Sequence, residues 1–255
     1  MTEGRYGRRG VLAALAVGGV LPALAACSGG GKRKHDKHDK QAGAGATVGS
    51  SASASVSDVG GGGMDVLMII RHAEKPTGSG SPYGLTADGV QDDHSLTIQG
   101  WTRAGALVGL FDPRDSSGGP VAVRAGLTRP AVVAAAAAGT GGSNSKRPQE
   151  TVTPLASALA VTLETQFSVG QEAALAKWLM GPTGPSGPTL VAWEHQHIPD
   201  IIAGLGQVTP KPPTSWPGAR FDIVYVFTRA AGTGGWTFTQ VPQSLLAGDL
   251  SSPIS

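Results

Sequence analysis

Val66-Leu67-Met68-Ile69-Ile70 is an unbroken apolar run that stops abruptly at Arg71-His72-Ala73-Glu74-Lys75-Pro76. A strand apolar on both faces belongs inside a parallel sheet covered by helices on each side. A second run, Thr189-Leu190-Val191-Ala192-Trp193, ends in the same manner at Glu194-His195-Gln196-His197. Ligand sites of open α/β sheets lie just past the carboxyl ends of their strands. Both histidine clusters are therefore candidate sites by position alone.

The stretches between these runs alternate in period. Leu96 to Phe111 has apolar residues at helical spacing. Residues 120–125 read as a second strand, and the Ala-rich residues 130–138 as a short helix. Residues 148–160 form a helix with proline in its first turn, where it is tolerated. Residues 161–163 make a short strand, 171–180 a helix stopped by Gly181-Pro182, and 199–204 a further helix. Residues 221–228 and 236–241 read as two closing strands that pair antiparallel. Strands alternating with helices predict an α/β domain, a layered α/β/α sandwich around a mostly parallel central sheet.

The N-terminal part has a different character. Arg5, Arg8 and Arg9 precede an apolar run from Val11 to Ala26, the charged and apolar regions of a secretory signal. The run is short of the about 20 apolar residues that a spanning helix needs. It ends in Leu24-Ala25-Ala26-Cys27, which resembles a bacterial lipobox, and Cys27 is the single cysteine of the 255-residue chain. Residues 1–27 are thus expected to be a lipoprotein-type signal with Cys27 as the lipidated residue. Arg8-Arg9 also partly fits a twin-arginine signal. Residues 28–63 carry a charge run, Lys32 to Lys40, and then a Gly/Ala/Ser-rich stretch, a composition that buries too little to offset its ordering entropy. His35 and His38 in that run suit a soluble spacer that also meets anionic lipid better than a metal site. The α/β domain is expected over residues 64–255. The expected location is the extracytoplasmic face of the cell membrane, held by the lipid. A formal net charge of +2 gives no basis for a nucleic-acid partner.

An unprotonated imidazole is a nucleophile, and attack on a phosphoryl group needs cations around its equatorial oxygens. Arginine suits this task because its planar fork gives two parallel hydrogen bonds and keeps its charge. Arg71 beside His72 is the smallest version of that device. Arg71-His72-Ala73-Glu74 after an apolar strand resembles the Arg-His-Gly-Glu motif of the histidine phosphatase superfamily, the phosphoglycerate-mutase-like proteins. Leu96-Thr97-Ile98-Gln99-Gly100 resembles that family's Leu-Thr-x-x-Gly helix start. Ser145-Lys146-Arg147-Pro148-Gln149-Glu150-Thr151 resembles its Ser-x-Arg-x-x-x-Thr segment. Leu190 to Pro199 resembles its second-histidine strand and turn. The four matches fall in order over about residues 64–205.

The resemblance implies a phosphoglycerate-mutase-like fold and a phosphatase that hydrolyses phosphomonoesters through a phosphohistidine on His72. Arg71, Arg147 and His195 would hold the phosphoryl oxygens, with His195 as an imidazolium. No cofactor and no metal is implied. The substrate is expected to be a phosphorylated small molecule or a phosphoprotein. The general acid is not marked by a motif: Glu164 follows a strand in suitable order, Glu194 and Asp200 are alternatives, and Glu74 has a supporting place. Arg129 competes with Arg147 but lacks the flanking Ser and Thr. Arg124 is a candidate pocket residue, His197 a substrate contact or wall residue, His94 an exposed loop residue, and Arg103 a solvated helix residue. Ala73 departs from the family's glycine. A catalytically inactive anion-binding lipoprotein of the same fold is the alternative function. A mutase fits poorly, because an exported chain does not meet that substrate and no long closing segment is found.

Overall fold

The computed structural model describes residues 64–139, 143–230 and 234–255. Cys27, the signal and the linker lie outside the described residues.

The elements run β1 (Met64–Arg71), α1 (Ile98–Phe111), β2 (Val132–Ala135), α2 (Arg147–Leu159), β3 (Leu163–Glu164), α3 (Glu172–Met180), β4 (Thr189–Trp193), α4 (Ile198–Ala203), β5 (Val208–Thr209), β6 (Ile223–Ala230) and β7 (Trp236–Pro242). The strands form one seven-stranded sheet in the order β3-β2-β4-β1-β6-β7-β5. Strands β1 to β4 pair in parallel, as do β5 and β7, whereas β6 runs antiparallel to both β1 and β7. The domain is α/β with a mixed, mostly parallel sheet.

Period-two alternation sends each buried strand to two cores. Met68, Ile70, Leu190 and Ala192 pack with Leu107, Leu110 and Phe111 of α1 and Val152 and Leu155 of α2. Leu67, Ile69, Val191 and Trp193 pack with Leu175 of α3 and Ile198, Ile201 and Ile202 of α4. Helices α1 and α2 thus cover one face, and α3 and α4 the other. β1 leads to α1 on the first face, while its neighbour β4 leads to α4 on the second. Adjacent parallel strands that diverge in this way open a crevice at their carboxyl ends. The antiparallel β6 begins at the same rim, so the loop before it, residues 218–222, closes the crevice from the other side of β1.

Two expectations fail. Residues 130–138 hold β2, a strand, in place of a helix. Alanine favours helix in isolation, but Val132–Ala135 is flanked by β3 and β4 and pairs with both, so tertiary pairing decides. Residues 120–125 form no strand; Pro120 makes an isolated bridge with Arg114, and among the described residues the segment has no sheet neighbour. The short β5 was not anticipated. Among the described residues no helix is long and apolar enough to cross a membrane.

Candidate active site

β1 delivers Arg71 and His72 to the rim with 1% and 2% of their surface exposed. The main chain there is held at three points. His72 N–H donates to Trp193 O at 2.9 Å, continuing the β1–β4 ladder. Ala73 N–H donates to Thr151 Oγ1 at 2.8 Å, and that hydroxyl donates to Arg147 O at 2.7 Å. The Thr four residues after Arg147 therefore ties the start of α2 to the His72 loop. Glu150 completes the junction by accepting from Ser95 Oγ and Leu96 N–H at 2.7 and 2.9 Å. α1 is capped by Thr97, whose hydroxyl accepts from Gly100 N–H at 3.2 Å. A Cβ on Gly100 would lie 2.5 Å from Glu74 O. The glycine lets α1 approach the His72 loop.

His72 Nδ1 lies 2.7 Å from Ala73 O. A carbonyl only accepts, so Nδ1 carries the proton and Nε2 keeps its lone pair. Burial, then the charge of Arg71, holds His72 well below the ordinary imidazole value, with Arg147 and Lys75 adding to the effect. The ring is neutral at physiological pH.

Arg71 spends one nitrogen on the fold. Nη1 donates to Gly218 O at 2.6 Å and Arg220 O at 3.1 Å, and the guanidinium lies over the Phe221 ring at 3.8 Å. Nε and Nη2 are buried with no hydrogen-bond partner among the described residues. These two atoms form one edge of the guanidinium, the edge that matches two oxygens of a tetrahedral anion. Burial of a cation without that partner lowers Arg71 to about 10, still charged at neutral pH.

His195, just past β4, brings Nε2 within 3.9 Å of the position a Cβ on Gly218 would take. It therefore meets the same loop that anchors Arg71. Burial and the charges of Arg71 and Lys75 lower it to about 4. The expected imidazolium is thus replaced by a neutral ring before any anion arrives, because cations already surround it.

Arg147 is half-buried, and burial lowers it despite the fields of Glu194 and Glu150. Its fork is largely committed: Nη2 donates to Asp93 O, Nε to Ser95 O at 3.3 Å, and Nη1 to Ser145 Oγ at 3.3 Å. Its charge reaches His72, Arg71 and Lys75. The rival Arg129 is bonded to Asp112 at the far end of α1, at 2.7 Å. Arg124 ties its loop to the carbonyls of Pro242 and Gln243 at 2.7 and 2.9 Å.

Glu164 does not join this cluster. It pairs with Ala134, which is level with Val191 and through it with Ile69, below the rim. Two strands, β2 and β4, separate it from β1, about 14 Å at about 4.8 Å per strand. Glu194 occupies the better place: its field reaches Arg71, Lys75 and Arg147, and it accepts from Ser143 Oγ at 2.6 Å. Asp200 is largely exposed and lies 3.7 Å from His197 Nδ1, which is also 3.6 Å from Glu172. His94 is exposed.

One residue was missed and another misplaced. Lys75 faces Arg71, Arg147 and Glu194, and burial with those two cations lowers it. Its place directly after Glu74 was the available signal. Arg103 is not solvated but 2% exposed. It grips Glu74 and Asp249 at 2.7 Å each and Gln243 at 3.0 Å. No group of three or more metal-ligating side chains occurs among the described residues.

No family model matches the chain, and no curated protein does. Among solved structures, a mycobacterial hydrolase is similar at TM-score 0.39 and 12% identity, over 75% of this chain and 93% of its own. The chain assigned as phosphohistidine phosphatase SixA from Nakamurella multipartitia is similar at TM-score 0.38 and 15% identity, over 69% and 94%. Neither score bears on activity.

Proposed function

We propose that this chain is a phosphatase of the histidine phosphatase superfamily, hydrolysing phosphomonoesters with His72 as nucleophile. One observation carries the reading: a neutral His72 whose Nδ1 proton is held by Ala73 O stands beside an Arg71 whose Nε/Nη2 edge is unpartnered.

His72 Nε2 attacks phosphorus while the ester P–O bond breaks. The Arg71 edge binds two equatorial oxygens. Arg147 and Lys75 offset the developing charge, and a bound anion raises the proton affinity of His195 so that it donates a further hydrogen bond. Glu194 relays a proton, supplied by the phosphomonoester monoanion or by solvent, to the leaving alkoxide. Water then attacks the phosphohistidine, losing its proton to Glu194, and phosphate departs. No step calls for a metal ion. The substrate is a phosphorylated small molecule or phosphoprotein. In this reading the chain is exported and held at the membrane through a lipid on Cys27, which incorporation of labelled fatty acid into wild type but not Cys27→Ser tests.

The activity is tested with the full chain on a panel of phosphomonoesters against His72→Ala. Phosphate release by wild type alone supports the reading. Equal release by both, or none by either, rejects it.

A further inference from the structure

Beside the histidine cluster lies a cavity of about 560 Å³, lined in part by Lys75, Thr77, Gln99, Ala219, Phe221 and the Glu74–Arg103–Asp249 group. It is continuous with the cluster by shared walls. Gly218 lines it and also accepts from Arg71, and Phe221 lines it beneath the Arg71 guanidinium. Lys75 lines it and feels Arg71 and Arg147. Its volume is that of a small-molecule site, between about 300 and 1,000 Å³.

The charges in its wall are unusual in their pairing. Every N–H of Arg103 is consumed: Nε on Glu74, Nη1 on Gln243 and Asp249, and Nη2 on Glu74 and Asp249. One guanidinium thus serves two carboxylates, and the group carries a net negative charge. Asp222, a third carboxylate of the wall, is held by Arg220 at 2.7 Å. Among the described residues, the wall cation not locked into such a group is Lys75, on the side of the phosphoryl cluster. A second anionic group on a substrate would meet carboxylates with no donor left on Arg103. Hydroxyl groups would meet carboxylate and amide acceptors and the Thr77 hydroxyl.

We infer that this cavity is the leaving-group subsite, and that it selects phosphomonoesters of uncharged, hydroxyl-bearing alcohols against those carrying a second anion. The inference rests on the phosphatase reading and deepens it. The repulsive element, more than any attractive contact, sets the discrimination.

The test compares kcat/KM of the full chain on glycerol 3-phosphate and 3-phosphoglycerate, which differ in a hydroxymethyl against a carboxylate. Methyl phosphate, too small to occupy the cavity, is the reference probe. Glycerol 3-phosphate is expected to exceed 3-phosphoglycerate at least about tenfold, the scale of one like-charge contact in a partly screened site. Added salt should narrow the ratio, and Glu74→Gln or Asp249→Asn should narrow it further. Ala219→Trp, which adds a bulky ring to the cavity wall, should lower kcat/KM for glucose 6-phosphate relative to methyl phosphate at least about tenfold. Turnover of methyl phosphate with equal rates on the first pair, or a preference for 3-phosphoglycerate, overturns this inference alone. No turnover of methyl phosphate above His72→Ala overturns the phosphatase reading and this inference with it.

Discussion

Replacing Arg71 by lysine keeps a charge at the rim and removes the fork. The native guanidinium does three things at once: Nη1 bonds Gly218 O and Arg220 O, the plane lies on Phe221, and the Nε/Nη2 edge stays unpartnered for an anion. An ammonium is a point charge with three divergent donors and cannot do all three. Two charge-assisted hydrogen bonds to the phosphoryl oxygens are worth about 1.5–3 kcal/mol each, and lysine recovers at most one of them. The net loss is about 1.5–3 kcal/mol, or about 10- to 150-fold in kcat/KM at about 1.4 kcal/mol per factor of ten. Phosphate release from methyl phosphate measures it, with inorganic phosphate as a competitive inhibitor to follow the ground state. A melting curve checks that the Gly218–Arg220 loop still folds. An Arg71→Lys variant that folds and retains kcat/KM within about threefold of wild type would show that the unpartnered edge is not where the substrate's oxygens bind.

The depressed histidines set an acid limb below pH 6.5, since His72 loses its nucleophilic lone pair only as pH falls through its lowered value; kcat/KM measured from pH 5 to 8 should stay flat through 6.5. The same shifts make the fold acid-labile. The unfolded chain takes up protons near pH 6.5 that the native His72 and His195 refuse. The melting temperature should therefore drop from pH 7.5 to 5.5, and drop less in His72→Gln. Thr151→Val leaves the buried Ala73 N–H without an acceptor and should cost about 1–3 kcal/mol in denaturant melts, with a loss of turnover. Glu194→Gln should slow alkyl phosphates far more than aryl phosphates, whose leaving groups need no proton, while Glu164→Gln should leave both within about twofold.

Strands buried on both faces announce themselves, so β1, β4 and β6 were legible, and with them the rim where the histidines stand. β2 was not, because Ala-rich residues favour helix until two neighbouring strands claim them. The Leu-Thr-x-x-Gly pattern was visible as a resemblance. Its physical reason, a Cβ that would press on Glu74 O, needs the fold. Arg103 has helical spacing and no local partner, so it read as solvated. Its carboxylates come from Glu74 and from Asp249, residues far apart in the chain. The lowered value of His195 was not legible for a related reason, since a motif names its cations but not how closely burial and Arg71 act on a ring. The distance of Glu164 from the His72 cluster was not legible, because order along the chain does not reveal that β3 is an edge strand.

The central claim is that a phosphoryl group is carried on His72. Rapid quenching of the chain with labelled methyl phosphate, followed by peptide mapping under alkaline conditions that preserve phosphohistidine, tests it. Acid-labile label on the peptide containing His72, lost in His72→Ala, is the predicted result. Label on another residue, or product formed in a single turnover with no labelled protein at any quench time, would contradict it.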